Sequence, residues 1–318
     1  MANTFLTPDL IATRALATLY ESTHMAQLVH RDYEADFAGH QGDTITVRKP
    51  ATFTANEFNR GTGIVPQNAT ESGFPVVLNH LPDVSFTVTT EQLTLEINDF
   101  GEQLLDPAME AIAQKIDRDL LALRDDVTQT VGAVAENTGG ENYNYPSGQY
   151  PWSDSRVLIE AGAVLDTKNV PASDRRVVVG PRTKARWMAE KIWRAANERG
   201  STVGLTEAQF GAPASGFTPY MTQNIAGPAA DPGEGEPTTE VDLAFHKTAF
   251  ALVTRTLEVP PGAQDATIMN YKGFALRVVY DYDIKYKQTV VSVDCLYGTK
   301  TLDANRAVLI QGALGEGA

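Results

Sequence analysis

Residues 106–126 carry the strongest helix signal in the chain, and this stretch limits how the rest can fold. Asp106 is a good helix cap, and Pro107 suits the first helical position, where its missing N–H is no loss. One predicted face is apolar, with residues at steps of three or four: Leu105, Met109, Ile112, Ile116, Leu120 and Leu123. The remaining surface is polar: Glu110, Gln114, Asp117, Arg118, Asp119 and Arg124. The pattern predicts a rod of about 30 Å without catalytic groups.

Two alternating segments lie before this helix, and a long span without core residues separates them. Apolar and polar residues alternate over 43–49 and again over 84–88, which predicts two half-buried strands that pair with each other. The span 50–81 contains several Gly and Pro residues, and loops of that length usually reach for another surface. We expect an extended two-stranded flap that turns at residues 59–63. The alternation changes phase after the second strand, which predicts a bulge near Glu91.

The first 31 residues are predicted to form helical segments. Thr7 and Pro8 supply a cap and a first helical position. Apolar residues then follow at helical spacing: Ile11, Ala15, Leu19, Met25, Leu28 and Val29. Such an amphipathic arm packs either on its own domain or on a neighbouring subunit, and the pattern leaves both possibilities open.

An alternation of helices and strands follows a boundary loop predicted at 130–152. A helix capped by Ser153 is expected to bury Leu158, Ala161 and Leu165. The next predicted elements, in order, are a strand at 175–180, a helix from Pro181 whose apolar face is Ala185, Met188, Ala189, Ile192 and Ala196, a strand at 216–225, an exposed acidic loop at 227–237 and a strand at 249–255.

Residues 274–310 form the clearest β region of the sequence. Alternation puts one set of side chains on a single face: Phe274, Leu276, Val278, Tyr280, Tyr282, Ile284 and Tyr286. The opposite face is charged: Asp281, Asp283, Lys285 and Lys287. This alternation of sign indicates a solvated charge ladder more than a pair of catalytic carboxylates. Further strands are predicted at 290–297 and 306–310.

No residue pattern points to an enzyme. The five His residues lack the i, i+4 spacing of a helical zinc motif, and the single Cys295 excludes intrachain disulfides and multi-cysteine zinc sites. Cys295 lies in an alternating segment and is predicted to be an ordinary strand residue. Nucleotide-binding and nucleophile-elbow fingerprints are absent from the sequence. We therefore expect no catalytic activity, no cofactor and no metal.

The chain is strongly acidic, with 40 acidic against 26 basic residues and a net charge of −14. A protein that binds DNA through its phosphates has the opposite sign, because counterion release drives such binding. One basic island is predicted to be an exposed helix, with a subunit contact or an internal polyanion as alternatives: Arg182, Lys184, Arg186, Lys191, Arg194 and Arg199. The sequence has no apolar run of transmembrane length and no secretory signal, so we expect a cytosolic setting.

The order of these parts resembles the major capsid protein of tailed double-stranded-DNA bacteriophages. An N-terminal arm, a strand, a long flap, a second strand, a solitary long helix, an α/β insert and a closing β region follow one another over nearly the whole chain. The TITVRKP segment at 44–50 resembles the first arm of that family's E-loop, and AFALV at 249–253 is similar to an A-domain strand. GFALRVVYDYD at 273–283, followed by LYGTKTL at 296–302, resembles its closing P-domain segment.

This resemblance implies an α+β tailed-phage major capsid fold. A discontinuous P-domain would hold a long spine helix and a β-sheet, with an extended two-stranded E-loop and an inserted α/β A-domain. The implied parts are an N-arm at 1–36, P-domain strands at 37–98 with the E-loop at about 50–81, a P-domain spine helix and linker at 99–153, an A-domain at 154–265 and C-terminal P-domain strands at 266–318. The apolar face of the helix is expected to pack on the strands around 274–284.

The implied function is structural: self-assembly into an icosahedral shell of hexamers and pentamers that encloses the phage genome without sequence-specific binding. A-domains would meet at each capsomer centre, while E-loops and N-arms would lap over neighbouring subunits. The expected inter-subunit contacts are Phe53, Phe58, Arg60, Ile64, Val65, Leu10 and Leu19. The implied location is the virion capsid, assembled in the host cytoplasm and passing through procapsid maturation.

Two departures from the family pattern add expectations. Some members cross-link through an E-loop lysine, but residues 50–81 contain no lysine, so the predicted shell is held by non-covalent contacts. Some members carry a cleaved N-terminal scaffolding domain, whereas here the arm starts almost at Met1, so a separate scaffolding protein is expected beside portal and decoration proteins. Two alternatives stay open: the shell of a bacterial nanocompartment, and a soluble hydrolase or binding protein.

Overall fold

The computed structural model describes residues 25–31, 44–49, 53, 55–58, 60–61, 63–64, 66, 68, 72–89, 106–133, 149–190, 215–225, 227–228, 237–255, 257–259, 265–271 and 274–312. Its α-helices are α1 (Met25–Leu28), α2 (Asp106–Ala122), α3 (Val157–Thr167) and α4 (Pro181–Ala189). Its strands are β1 (Thr44–Lys49), β2 (Ser72–Val77), β3 (Asp83–Thr89), β4 (Thr130–Val131), β5 (Arg175–Val179), β6 (Thr218–Met221), β7 (Asp242–His246), β8 (Phe250–Arg255), β9 (Asp265–Tyr271), β10 (Phe274–Asp283), β11 (Gln288–Asp294), β12 (Leu296–Thr301) and β13 (Ala307–Ile310). Among these residues, no helix is both long and apolar enough to span a membrane.

Helix α2 confirms the long helix predicted from the sequence, and a 3-10 turn, Leu123–Asp126, continues it to the predicted end. Its predicted apolar face is buried at Ile112, Ile116 and Leu120. One polar assignment was wrong, because Asp117 is only 1% exposed and does not belong to the solvated surface. The side chain of Met109 and all of Leu105 lie outside the described residues.

A four-stranded antiparallel sheet in the order β3-β11-β10-β9 packs in the same core as α2. Leu276 and Val278 of β10 and Val291 and Val293 of β11 are buried in one hydrophobic cluster with the apolar face of α2. This arrangement confirms that the long helix packs with the C-terminal strands. It thereby joins two parts of the chain that are more than 150 residues apart in sequence.

The predicted pairing of the first two alternating segments was wrong. Strand β1 pairs with β2, with Thr44 opposite Val77 and Lys49 opposite Ser72, whereas β3 pairs with β11. Alternation shows which face of a strand is buried but not which strand is its neighbour. Strand β2 escaped notice because Pro75 interrupts its pattern, and Pro is confined to edge positions in sheets.

A five-stranded mixed sheet in the order β4-β13-β7-β5-β6 forms the α/β part of the molecule. Helices α3 and α4 cover it, and the residues that α3 was predicted to bury, Leu158, Ala161 and Leu165, are fully buried. Strands β4 and β13 enter this sheet from outside the range 154–265, one just after α2 and the other near the end of the described chain.

Several details of the α/β region differ from the prediction. Helix α3 starts at Val157, not beside Ser153, because residues 152–156 form turns in which the Val157 amide bonds to the Asp154 carbonyl at 3.0 Å. Helix α4 buries Thr183 and Trp187, while the predicted face residues Ala185 and Ala189 are exposed and Ile192 and Ala196 lie outside the described residues. Strand β7 was missed, because its five residues are all buried and show no alternation.

The C-terminal β region is confirmed with two corrections. Strand β10 ends at Asp283, and residues 284–287 form a turn, so Ile284 and Tyr286 are not on a strand face. The Asp283 carboxylate causes this, because its Oδ1 accepts hydrogen bonds from the amides of Lys285 at 2.8 Å and Tyr286 at 3.3 Å. The strand predicted at 290–297 divides at Cys295 into β11 and β12, and β12 pairs with β8 in a separate two-stranded sheet. The bulge predicted near Glu91 and most of the acidic loop at 227–237 lie outside the described residues.

Candidate subunit interface

The hairpin of β1 and β2 extends into a flap that presents large apolar side chains to solvent. Phe53 is 65% exposed, Phe58 67% and Ile64 84%. Arg60, also exposed, lies at a turn near the end of the flap, and Gly63 adopts a φ of 71°, which favours glycine. The structure therefore places four of the seven predicted contact residues on one flap. Val65, Leu10 and Leu19 lie outside the described residues.

The exposure of these three side chains favours a second surface that covers them. Fully burying one Phe or Ile side chain stabilises a contact by about 1.5–3 kcal/mol. Scattered apolar residues are normal on protein surfaces, but here three occur on one projecting segment. The flap is therefore a candidate for a docking surface.

The root of the flap is firmly packed on the two-stranded sheet. Val76 and Leu78 are buried with Val253 of β8 in a small cluster of their own. Gly298 of β12 lies directly against the flap backbone, since a Cβ at this position would be 2.2 Å from the Val77 carbonyl oxygen. Only glycine permits such a close approach of two backbones. The flap therefore leaves the molecule from a defined position.

A polar network links this root to the long helix. The backbones of His80 and Tyr297 form an antiparallel bridge, with both N–H to O distances at 3.0 Å, and their rings stack with centroids 5.1 Å apart. The Tyr297 hydroxyl donates to the Asp119 carboxylate at 2.5 Å, and the Lys115 Nζ lies 2.5 Å from the other oxygen. Burial raises the pKa of the Tyr297 phenol far above its ordinary value, and the hydrogen bond to Asp119 adds to the rise.

The N-terminal segment 25–31 packs on its own domain, which is one of the two possibilities left open by the sequence: Met25, Ala26, Leu28 and Val29 are buried, whereas Gln27 is exposed. The Met25 amide donates to Asp117 at 3.2 Å, and the Arg176 guanidinium donates to the Gln27 carbonyl at 3.1 Å. The His30 amide donates a hydrogen bond to the Phe250 carbonyl, and the Leu252 amide donates one to the His30 carbonyl. His30 thereby forms a parallel β-bridge with Ala251 of β8. Residues 1–24 of the arm lie outside the described chain.

A second exposed apolar group lies at the turn between β10 and β11. Ile284 is 76% exposed, Tyr286 62% and Tyr282 38%, and the Lys285 ammonium lies 5.2 Å from the Tyr286 ring centroid. The sequence interpretation missed this group because it extended the strand alternation beyond Asp283. A carboxylate followed by charged residues was the available signal for a turn.

The structure shows the surroundings of the residues that the sequence analysis considered for chemistry: Cys295, possible metal ligands and the basic island. Cys295 is buried, and burial raises the pKa of its thiol to about 12. Among the described residues, no three His, Cys, Asp or Glu side chains come together in a way that could hold a metal ion. Arg182 and Arg186 of the basic island are exposed on α4, in agreement with the predicted exposed helix, while Lys191, Arg194 and Arg199 lie outside the described residues.

No protein-family model matches the chain, and no curated protein does. Solved structures match over most of its length. A structure of Mycobacterium phage Che8 is 18% identical and covers 91% of this chain and 90% of its own, with a TM-score of 0.61. The capsid of cyanophage P-SCSP1u is 12% identical over 86% and 85%, with a TM-score of 0.58. The mature capsid of bacteriophage PhiM1 is 10% identical over 86% and 82%, with a TM-score of 0.56. The chain thus has the fold of phage major capsid proteins, which confirms the capsid fold predicted from the sequence.

Proposed function

We propose that this chain is a major capsid subunit that assembles into an icosahedral shell of hexamers and pentamers around a phage genome. The observation that carries the proposal is the flap, which projects Phe53, Phe58 and Ile64 into solvent from a firmly packed root in a molecule with a capsid fold. A shell subunit needs a surface that fits its neighbour, and the exposed apolar side chains of the flap supply one.

Shell closure follows from contacts between different surfaces of identical subunits. Such heterologous contacts generate rings when the rotation between copies closes. Each contact is modest, because burying three apolar side chains contributes about 4.5–9 kcal/mol, from which the entropy cost of association is subtracted. Many simultaneous contacts per subunit nevertheless raise the apparent affinity steeply. A shell built in this way is stable as a whole while each of its contacts stays reversible during assembly.

Each part of the capsid fold is assigned to elements of this chain. We assign the N-arm to residues 1–36, the E-loop to about 50–81, and the P-domain to α2 together with the sheet of β3, β11, β10 and β9. The A-domain is the α/β insert at 154–265, which would meet its copies at the capsomer centre. The contacts between subunits are assigned to Phe53, Phe58, Arg60, Ile64, Val65, Leu10 and Leu19.

The charge of the chain suits a container for a polyanion. A net charge of −14 disfavours adhesion of the wall to DNA, so the genome would be enclosed without being bound by sequence. The proposed role is structural, with no enzymatic step. Assembly would take place in the host cytoplasm with a separate scaffolding protein, a portal and decoration proteins, and maturation would follow in the virion.

Electron microscopy of the purified chain, expressed with and without other phage proteins, tests this proposal. Closed shells tens of nanometres across are expected, and a persistent monomer under all conditions would contradict it. Replacing Phe53, Phe58 and Ile64 by Ser should abolish shells while leaving the circular dichroism spectrum unchanged, since these side chains are exposed in the subunit. Packaged DNA in particles from infected cells would separate a phage coat from a nanocompartment, which would hold protein cargo.

A further inference from the structure

One turn of α2 carries two carboxylates that contact two different peripheral parts of the chain. Asp117 is 1% exposed, and its oxygens accept hydrogen bonds from the Met25 amide at 3.2 Å and from the Asn224 Nδ2 at 3.3 Å. Asp119 accepts a hydrogen bond from the Tyr297 hydroxyl at 2.5 Å. Two residues along an α-helix are about 200° apart around its axis, so the carboxylates face different neighbours.

Asp117 holds the N-terminal segment at its first described residue. Met25 begins α1, and a carboxylate at the start of a helix satisfies an amide that has no partner within the helix. Met25 and Ala26 are fully buried beside α2. Loss of this bond would leave a buried polar group without compensation. Together with the bonds of Gln27 and His30 described above, the Asp117 carboxylate fixes the position of the segment.

Asp119 holds the root of the flap through Tyr297. The tyrosine is fully buried, and its backbone and ring both contact His80, which lies just after the buried Val76 and Leu78 of the flap root. The His80 Nδ1 is 3.5 Å from the same Asp119 oxygen that accepts the tyrosine hydroxyl. A displacement of α2 at this turn is thus transmitted to the flap through hydrogen bonds and packing, without an intervening loop.

We infer that Asp117 and Asp119 form a double clamp by which a single turn of α2 sets the positions of the N-terminal segment and the flap. The inference rests on the proposed function and adds to it that the direction of the flap sets the angle between neighbouring subunits. That angle fixes the curvature of the wall and hence the diameter of the closed shell. The two aspartates are positioning residues for assembly and do not themselves contact a neighbour.

Hydrogen exchange of the purified full-length chain tests each clamp separately. Asp117→Leu keeps a similar side-chain volume but removes both acceptor oxygens, and should speed amide exchange in residues 25–31 about tenfold while leaving 78–82 unchanged. Asp119→Leu should have the reverse effect. The matched control is Asp126→Leu, because Asp126 accepts a hydrogen bond from the Thr301 hydroxyl at 2.5 Å and lies outside both segments.

Cryo-electron microscopy of assembled particles then tests the consequence. Both clamp variants should give shells of altered or mixed diameter, and the control should give the wild-type diameter. The inference would be overturned if amide exchange in the clamp variants were unchanged or rose equally throughout the chain. It would also be overturned if a variant with locally faster exchange assembled into shells of wild-type diameter. If Asp119→Leu does not fold, Tyr297→Phe removes only the hydroxyl and tests the same contact. Failure of the wild-type chain to form shells would instead overturn the proposed function.

Discussion

At the scale of single residues, Asp242 is fully buried at the start of β7, beside the first turn of α4. Its Oδ1 accepts a hydrogen bond from the Gly180 amide at 2.8 Å, and Glu240 accepts from the Arg182 and Thr183 amides nearby. Burial raises the pKa of Asp242 well above its ordinary value, and the charge of Glu240 adds to the rise. The folded chain therefore retains the proton on Asp242 up to a higher pH than the unfolded chain does.

This pKa shift determines the direction of the pH dependence. Above the ordinary Asp pKa the unfolded chain has lost a proton that the folded state retains, so the unfolding free energy falls as the pH rises toward the raised folded pKa. Burial raises the pKa of Glu160 and Glu190 as well, which acts in the same direction. We expect Asp242→Asn to flatten this dependence and to raise the melting temperature of the subunit at about pH 8 by about 2–4 °C.

Calorimetry of the wild type and Asp242→Asn at about pH 5 and about pH 8 measures the effect. Asn preserves the acceptor for the Gly180 amide and cannot ionise, so it represents the neutral carboxyl at both pH values. Equal losses of melting temperature in the two proteins on raising the pH would contradict the assignment.

The buried face of α2 is predicted not to tolerate a charged side chain at Ile116. The residue is 0% exposed, and Ile116→Asp would put an unpaired charge into the main core. The expected loss of unfolding free energy exceeds about 4 kcal/mol, a large part of the stability of an ordinary domain, so folded subunit should not be recovered. The control is Ala111→Asp on the exposed side of the same helix, which should change stability by less than about 0.5 kcal/mol. Soluble expression and urea unfolding distinguish the two, and an assembly-competent Ile116→Asp subunit would refute the assignment of this core.

At the scale of elements, the close approach of β12 to the flap gives a sharp prediction. Gly298→Ala would place a Cβ at 2.2 Å from the Val77 carbonyl oxygen, so the flap backbone must move. We expect a loss of about 1–3 kcal/mol in unfolding free energy, as for other overpacked sites. Gly227→Ala is the control, because nothing lies within 4 Å of a Cβ at that position. Thermal unfolding compares them, and equal melting temperatures would show that the root yields without strain.

Elements with a strong period were predictable from the sequence, and their partners were not. The spacing of Ile112, Ile116 and Leu120 identified α2 because a helix reports its buried face in its own residues. The pairing of β1 with β2 depends on residues outside either strand, so no local pattern could reveal it. Asp117 was assigned to the surface because its partners, Met25 and Asn224, are both about 100 residues away in the chain.

The exposure of the apolar side chains on the flap was predictable from the sequence, whereas the exposed group at the turn between β10 and β11 was not. Phe53, Phe58 and Ile64 stood out as large apolar residues in a span without core periodicity, and all three are exposed. The group at Tyr282, Ile284 and Tyr286 was assigned to a strand face, because alternation continues through a turn as easily as along a strand. Only the backbone bonds to Asp283 identify the turn.

At the scale of the whole molecule, the order of parts along the chain was more informative than any single motif. The fold was predicted correctly although the structures that share it are only 10–18% identical to this chain. Hydrophobic periodicity can persist while individual residues change, because it depends on residue class and not on residue identity. The contacts between the parts, such as the clamp at Asp117 and Asp119, are set by individual residues and became visible only in the structure.

At the scale of the shell, we predict that no covalent bonds link its subunits. Residues 50–81 contain no lysine, so the flap cannot supply an amine for an isopeptide bond. Mature particles boiled in detergent should therefore run as monomers near 34.4 kDa on a gel. A ladder of higher species would contradict the prediction. Particles treated with a lysine-reactive cross-linker serve as the positive control, since they should produce that ladder.

Strand β13 has a kinetic consequence. It lies inside the five-stranded sheet between β4 and β7, its four residues are buried, and it is synthesised after more than 300 others. Pairings between such distant residues close large loops and form late in folding. A polypeptide released early by the ribosome lacks this interior strand and leaves the edges of β4 and β7 unsatisfied. The five-stranded sheet can therefore be completed only after β13 has been synthesised.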